Sequence, residues 1–507
     1  MTLPRATALG ERAPSWRIAK LSAPLAGFLL APTVISLLVL GMLGRLGPTA
    51  LAGVGAASSV YSVALAMLLG LDAAAQARVS RSVGAGRREQ LGAILVEAVA
   101  VGTVAGMVLA GVLWAGGPPL LRLMLRDPAA ARLGSAYVRA AAPSLVFLAA
   151  TIPINAVWIG SARPLRPLGV AVALAPVQLL ASRVLIFGAG PLAAQGVAGA
   201  GAAASIATLA GVVLQVALVL GRGGVADVLR RRPSGAGVAQ TLALGWPISL
   251  QQALLQCGYV AVYAIVARIG VAATAIVNVL ISITNLPVQL SVAAGVAAAT
   301  LVGQSLGAGD TRAARNWGWR AGLMGTLVTA PLGLLGVAMP QMLLAPFLRD
   351  PGIMAMALWP MRLAALTILV TPAGLVLGFA IRGAGATRIA ALIPFVSQWV
   401  ATLPATFFCA LVLGWGLTGM VGVQFAVAIA DAVVTILIWK GRAWATPRAL
   451  RPRGGRGAAE SLLARARGVV APGHGEAAHI GVPAHGDRGR NPAGAGRPRR
   501  PASRQFP

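Results

Sequence analysis

The sequence predicts an all-α polytopic membrane protein, with 12 transmembrane helices in two homologous six-helix lobes, and three observations predict it. The 507-residue chain is 57% hydrophobic and only 11% charged, with 63 Gly, 33 Pro and a mean hydropathy of +0.80, a combination foreign to soluble domains. Its apolar runs are long, unbroken and rich in Gly and Ala, where barrel strands would show short alternation. A single offset of 223 residues lays the first half on the second without a gap: Pro24 falls on Pro247, Arg45 and Gly47 on Arg268 and Gly270, Ser82, Gly84, Ala85 and Gly86 on Ser305, Gly307, Ala308 and Gly309, and Asp127-Pro128 on Asp350-Pro351. A repeat this long exceeds the ~20 to 50 residues of a solenoid unit and reads as two membrane bundles facing each other.

The elements follow in order, each span needing ~20 apolar residues. A cytoplasmic N-terminal segment, 1–22, is too polar and proline-containing for a signal peptide. The first lobe, 23–220, holds six spans. The first, 23–44, contains Pro24 and Pro32, which remove backbone bonds and permit bends. Next come 54–77, 92–115, 135–160, 168–188 and 197–220, of which 54–77 carries Asp72 and 92–115 carries Glu97. A basic stretch, 221–242, with Arg230-Arg231-Arg232-Pro233-Ser234-Gly235, predicts a flexible cytoplasmic linker. The second lobe, 243–440, repeats the pattern at 243–267, 272–300, 320–346, 359–381, 390–413 and 418–439, with Pro247, Pro287 and Pro372 as further bends. The remainder, 441–507, is rich in Arg, Gly, Pro and Ala without apolar periodicity and predicts a disordered basic tail.

Short motifs between spans read as structural. Asp127 and Asp350, each followed by Pro, are expected to cap short interfacial helices or the next span. Gly84-Ala85-Gly86 and Gly307-Ala308-Gly309 look like phosphate-binding loops, but neither follows a strand nor carries a Walker lysine, so they predict tight turns.

The formal net charge of +30 invites a nucleic-acid reading that the placement of charge excludes. Basic residues collect at alternate span ends, at Arg78, Arg81, Arg87 and Arg88, then at Arg163 and Arg166, and on through Lys440 and Arg442. The positive-inside rule then puts both termini in the cytoplasm of a multi-pass protein of the inner (plasma) membrane. The expected partners are the lipid bilayer and small molecules, with no nucleic acid and no obligate protein partner evident. Cys257 and Cys409 sit inside apolar spans and predict neither a disulfide nor a metal site. Trp317, Trp319, Trp359, Trp439 and Trp444 are expected in the interfacial belt.

The motifs at the span ends carry a resemblance. Gly44-Arg45-Leu46-Gly47-Pro48-Thr49-Ala50-Leu51-Ala52 follows the first span and Ser80-Arg81-Ser82-Val83-Gly84-Ala85-Gly86-Arg87 the second. Their echoes are Arg268-Ile269-Gly270 and Gly303-Gln304-Ser305-Leu306-Gly307-Ala308-Gly309-Asp310, with Arg382-Gly383-Ala384-Gly385 after the tenth span. In order and in both repeats, this pattern resembles the multidrug and toxic compound extrusion (MATE) family across about residues 20–440. The resemblance implies a V-shaped central cavity between the lobes. It also implies export of organic, cationic or amphiphilic compounds by H+ or Na+ antiport through alternating access, with no cofactor beyond the coupling ion. Family members commonly carry an Asp late in the first span, or a Glu in the seventh with an Asp in the tenth. The matching positions here are Val39, Leu255 and Thr371, none of them acidic.

Coupling to an ion gradient calls for a group whose affinity differs between the two access states, in a membrane usually a carboxylate. The chain has 12 acids. Only Asp72, Asp431 and Glu97 fall within spans, and all three histidines, His474, His479 and His485, lie in the tail. Asp72 leads as the ion-coupling candidate because an ionised Asp near mid-membrane costs at least ~2.5 kcal/mol and must be wetted, paired or protonated. Asp431, opposite Thr208 in the repeat, is the second candidate; Glu97 is the third, expected to pair with Arg87 or Arg88 near the inner interface. The substrate-cavity candidates are Gln76, Asn155, Gln178, Gln252, Gln256, Tyr259, Tyr263, Asn278 and Asn285. Gln252, Gln256, Tyr259 and Tyr263 follow one helical face, and their alternative role is interhelical hydrogen bonding. Tyr259 and Tyr263 suit an organic cation. Two other transport readings remain: a lipid-linked oligosaccharide or lipid flippase of the same superfamily, which wants several basic residues in the cavity where only Arg183 is available, and an uncoupled transporter of small metabolites. A membrane-embedded enzyme is not expected, since it needs a convergent nucleophile, acid–base pair or metal-ligand set and the spans carry no His and only three acids, on distant spans.

Overall fold

The computed structural model describes residues 16–125, 127–189, 193–220, 233–347, 350–441 and 443–445. Most of the N-terminal segment, most of the linker and almost all of the tail fall outside these residues. The first lobe comprises α1 (Trp16–Gly44), α2 (Pro48–Gly84), α3 (Gln90–Met124), α4 (Pro128–Gly160), α5 (Leu165–Phe187) and α6 (Val197–Leu220). The second comprises α7 (Gly235–Ile269), α8 (Val271–Gly307), α9 (Thr311–Ala338), a short α10 (Pro340–Leu344), α11 (Pro351–Val370), α12 (Pro372–Gly383), α13 (Thr387–Val396), α14 (Leu403–Phe407) and α15 (Gly416–Lys440). Among the described residues 12 helices are long and apolar enough to cross a membrane, α13 and α14 counting as one through the π-helical turns that join and follow them. The topology brings Trp16, Gly84, Gly160, Gly307, Gly383 and Lys440 to one face, here termed the terminal face.

The helices run past their apolar cores, because small polar and charged residues continue a helix that hydropathy alone cannot register. The seventh begins at Gly235, inside the stretch predicted as linker, where the Ser234 hydroxyl caps it by accepting from the Gly237 N–H at 3.1 Å. Asp127 caps α4 by accepting from Ala129 N at 2.8 Å, and Asp350 caps α11 from Gly352 N at 2.7 Å and Ile353 N at 3.1 Å. Both therefore open a membrane span directly, and the short α10 lies before Asp350.

The repeat reappears in the helix bounds. Under the 223-residue offset, Pro48–Gly84 maps onto Val271–Gly307 and Pro128–Gly160 onto Pro351–Gly383. The second match is interrupted because Pro372, which has no N–H to donate, breaks the tenth span at Thr371, whereas its counterpart Ala149 leaves α4 continuous. A second asymmetry sits at the turn after each of these helices. Gly385 has φ +77°, and its counterpart Ala162 is held at φ +58°, the only left-handed non-glycine among the described residues. Left-handed backbone costs a residue with a Cβ about 1–2 kcal/mol, so Ala162→Gly is expected to stabilise the protein by about 1 kcal/mol. A raised unfolding midpoint in detergent, against a lowered one for Gly385→Ala, is the measurement.

Packing joins the lobes along the terminal half. Leu25 of α1 and Ile159 of α4 share a buried cluster with Ala293 and Ala297 of α8, and Ile18 is enclosed by the core of α8, α9, α12 and α15. In the opposite half the clusters stay within one lobe, around Leu113, Leu121, Val138 and Leu145 in the first and Ile276, Met361, Leu417 and Met420 in the second. The belt expected of the tryptophans needs correction. Trp359 is 63% exposed, but Trp439 and Trp444 are buried, stacked with ring centroids 4.1 Å apart, and belong with Trp317 to the second-lobe core. A Cβ on Gly318 would overlap the Trp439 ring, so the missing side chain makes the space that the indole fills.

Candidate functional site

The three membrane carboxylates meet three different fates. Asp72 lies on α2 with Leu68 and Ala75, which pack on the neighbouring helices of the first lobe, Ala75 against Ala98 and Ala156. Gly70, two residues earlier, lies directly against the backbone and hydroxyl of Ser249 on α7, so this stretch of α2 runs along the second lobe. The Asp72 Oδ1 is enclosed and has no hydrogen-bond partner among the described residues. One turn on, Gln76 donates to Val296 O at 3.1 Å and to the Thr300 hydroxyl at 3.0 Å, both on α8. Gln76, a cavity candidate, is thus buried and committed to the junction of the lobes.

Glu97 on α3 is buried and paired with Arg78 of α2 at 2.7 Å. The expected partners Arg87 and Arg88 sit instead in and beyond the turn between α2 and α3, too near the surface to reach it; Arg78 lies at the same depth on the adjacent antiparallel helix. Glu97 also accepts from the Ser234 hydroxyl at 2.5 Å, while Arg78 donates to Gly237 O at 3.1 Å and to Thr241 Oγ1 at 2.5 Å. The ion pair of the first lobe is thereby bonded to the first turns of α7 in the second.

Asp431 on α15 accepts from the Ser397 hydroxyl, at the start of the π-helical turn Ser397–Thr402. Such a turn exposes backbone and often marks a working segment, but here the carboxylate is held as an interhelical bond between the eleventh and twelfth spans.

The remaining cavity candidates divide. Asn155 accepts from Gln215 at 3.3 Å, linking α4 to α6, and Tyr263 donates to Asn278 Oδ1 at 3.0 Å, linking α7 to α8. Gln178 is half-buried on α5, Gln252 and Gln256 are half-buried on α7, and Asn285 is exposed on α8. Tyr259 is 50% exposed on α7, and earlier on the same helix the Leu254 carbonyl accepts from Trp399 at 3.3 Å. Among the positions where the resemblance implies acids, Val39 packs against a first-lobe cluster, Leu255 is half-buried, and the Thr371 hydroxyl donates to Thr367 O at 2.8 Å.

Sequence reasoning missed the polar groups that bind lobe to lobe. Gln304 on α8 donates to Gly160 O at 2.9 Å, Thr300 donates to Ile159 O at 3.3 Å, and Arg81 on α2 donates to Ala384 O. Within the second lobe, Arg382 donates to Gln251 at 3.3 Å and lies over the Phe379 ring at 4.8 Å. The available signal was the repeat itself, since Arg81 and Gln304 occupy the same position in the two halves. Chemically, the ensemble offers one unpartnered carboxylate beside a polar seam, with aromatic and amide groups on α7 and α8.

The MatE family model matches residues 24–182 and 247–408, one segment in each repeat. The chain is similar to the probable multidrug resistance protein NorM of Deinococcus radiodurans, 28% identical over 435 residues, covering 83% of this chain and 93% of the relative. It is similar also to the multidrug resistance protein NorM of Burkholderia vietnamiensis, 26% identical over 421 residues, 79% of this chain and 88% of the relative. A solved MATE structure in the straight conformation shares the fold with a TM-score of 0.79 at 18% identity, covering 87% of this chain and 98% of the other. A transporter of the MOP superfamily from Pyrococcus furiosus, described as having a binding pocket of reverse polarity, gives a TM-score of 0.78 at 17% identity, covering 88% and 100%.

Proposed function

The chain belongs to the MatE family of multidrug efflux transporters, and on that premise we propose that it is a secondary active exporter of organic, cationic or amphiphilic compounds, driven by inward H+ and working by alternating access between its lobes. The observation that carries the proton reading is the enclosed Asp72 oxygen without a partner. A proton needs only one carboxylate, and among the described residues no second or third carboxylate, His or Cys gathers with Asp72. Glu97 and Asp431 are occupied by Arg78 and Ser397, which leaves Asp72 as the carboxylate free to exchange. With the termini in the cytoplasm, the seam along the terminal face closes the inner side, and substrate reaches Tyr259 and its neighbours from the outer side in this conformation.

Proteoliposomes loaded with ethidium and given an imposed pH gradient or an imposed Na+ gradient test the reading. Uphill movement driven by the pH gradient alone is the expected result; movement driven by Na+ alone would overturn the choice of ion. A second reading, an uncoupled transporter, is favoured by the absence of acid at Val39, Leu255 and Thr371, and indifference to both gradients would establish it.

A further inference from the structure

The two halves of the chain close on one another through a single structural device used twice. Where α2 and α8 cross, a Cβ on Gly84 would overlap the Gln304 carbonyl and a Cβ on Gly307 would overlap the Arg81 carbonyl. Gly84 and Gly307 are repeat partners, and so are Arg81 and Gln304, so the crossing is pseudo-symmetric about an axis between the two glycines. Each helix then sends one long side chain across. Gln304 donates to Gly160 O at 2.9 Å, in the last turn of α4, and Arg81 donates to Ala384 O, just past the end of α12. Both acceptors lie where a helix runs out of intrahelical donors for its final carbonyls, and where a donor or a positive charge is most favoured. A residue of one lobe thus completes the helix end of the other, in both directions.

We propose that Arg81 and Gln304 are the repeat-related halves of one clasp that positions the lobes in the closed state of the terminal face, and that each transport cycle requires both bonds to break. This deepens the alternating-access reading and rests on it for the cycle, while the clasp itself is testable without transport. The repeat partners differ in charge, so the position requires a donor with reach and does not require a cation.

Nitroxide labels at Arg163→Cys and Arg388→Cys, exposed positions at the terminal face of the two lobes, in a Cys257→Ala and Cys409→Ala background, report the distance between lobes by double electron–electron resonance. Relative to this background, Arg81→Ala combined with Gln304→Ala is expected to raise the ratio of a longer-distance population to the shorter one by about tenfold, two part-buried hydrogen bonds to helix ends having been lost. Arg81→Gln, which installs the side chain that the other repeat already uses, is expected to keep the parental distribution and guards against a variant that simply fails to fold. An unchanged distribution in the double Ala variant overturns the clasp. So does an Arg81→Gln distribution as open as that of the double Ala variant. Efflux assays on the parental background separate the two readings: a distribution shifted by the double Ala change in a protein whose parent moves no ethidium upholds the clasp and defeats the transport reading, whereas gradient-driven efflux by the parent with an unmoved distribution in the double Ala variant does the reverse.

Discussion

Asp72→Asn is expected to abolish uphill movement of ethidium under a pH gradient while leaving downhill exchange of substrate across the same liposomes. Asparagine has the size of a protonated aspartate and no proton to give up, so the variant is fixed in the ion-loaded form. Coupling is a difference in binding free energy between states, and a group that cannot change its protonation contributes none. The expected fall in gradient-driven accumulation is at least about tenfold, since removing even ~1.4 kcal/mol of coupling changes the ratio of states by that factor. Asp72→Glu is expected to retain part of the activity. Retained accumulation in Asp72→Asn would take Asp72 out of the mechanism. Loss of both uphill movement and exchange would assign it instead to substrate passage or folding.

The placement of Asp72 explains why this effect should reach the whole molecule. Gln76, one turn along α2, holds Val296 and Thr300 of α8, and Arg81, further along the same helix, holds Ala384. A change of protonation at Asp72 would act on the helix whose Gln76 and Arg81 side chains carry three of the bonds closing the seam. Rigid packing at Gly70 against Ser249 leaves that stretch of α2 little freedom to absorb a shift locally.

Much of this was legible in the chain. The spans and the repeat could be counted because a bilayer imposes length and hydropathy on every crossing, and the helix bounds of α2 and α8 follow the repeat offset without adjustment. The pairing of Glu97 was less legible because charge runs draw attention to Arg87 and Arg88, yet depth along an antiparallel hairpin selects Arg78. Trp439 and Trp444 were misplaced for a related reason: residue type gives affinity for the interface, while the glycine opposite, Gly318, decides whether the indole is instead packed inward. Gln76 was expected in the substrate cavity and instead bonds α8, because whether a polar residue within a span meets water or another helix depends on how the lobes close, which no single helix determines.

Arg78→Ala is expected to be the most destabilising single substitution of the seam, by about 3–5 kcal/mol, because it leaves a buried carboxylate without its counter-charge. The side chains of Arg78 and Glu97 are only 10% and 5% exposed, so solvent does not relieve the loss. Glu97→Gln should cost less, since the amide still accepts from Ser234 and Arg78 keeps its bonds to Gly237 and Thr241. Replacing the pair together, Arg78→Met with Glu97→Leu, is expected to recover much of the stability, as apolar substitution of a whole buried pair often does. That double variant nevertheless removes the bonds from α2 and α3 to the first turns of α7, so it should show a near-parental unfolding midpoint in detergent with an altered balance between the closed and open terminal face. Equal midpoints for Arg78→Ala and the double variant would mean that the uncompensated charge is not the source of the loss. A parental midpoint for Arg78→Ala would mean that water or lipid headgroups already reach Glu97, and the pair would then be a surface bridge of little energetic weight.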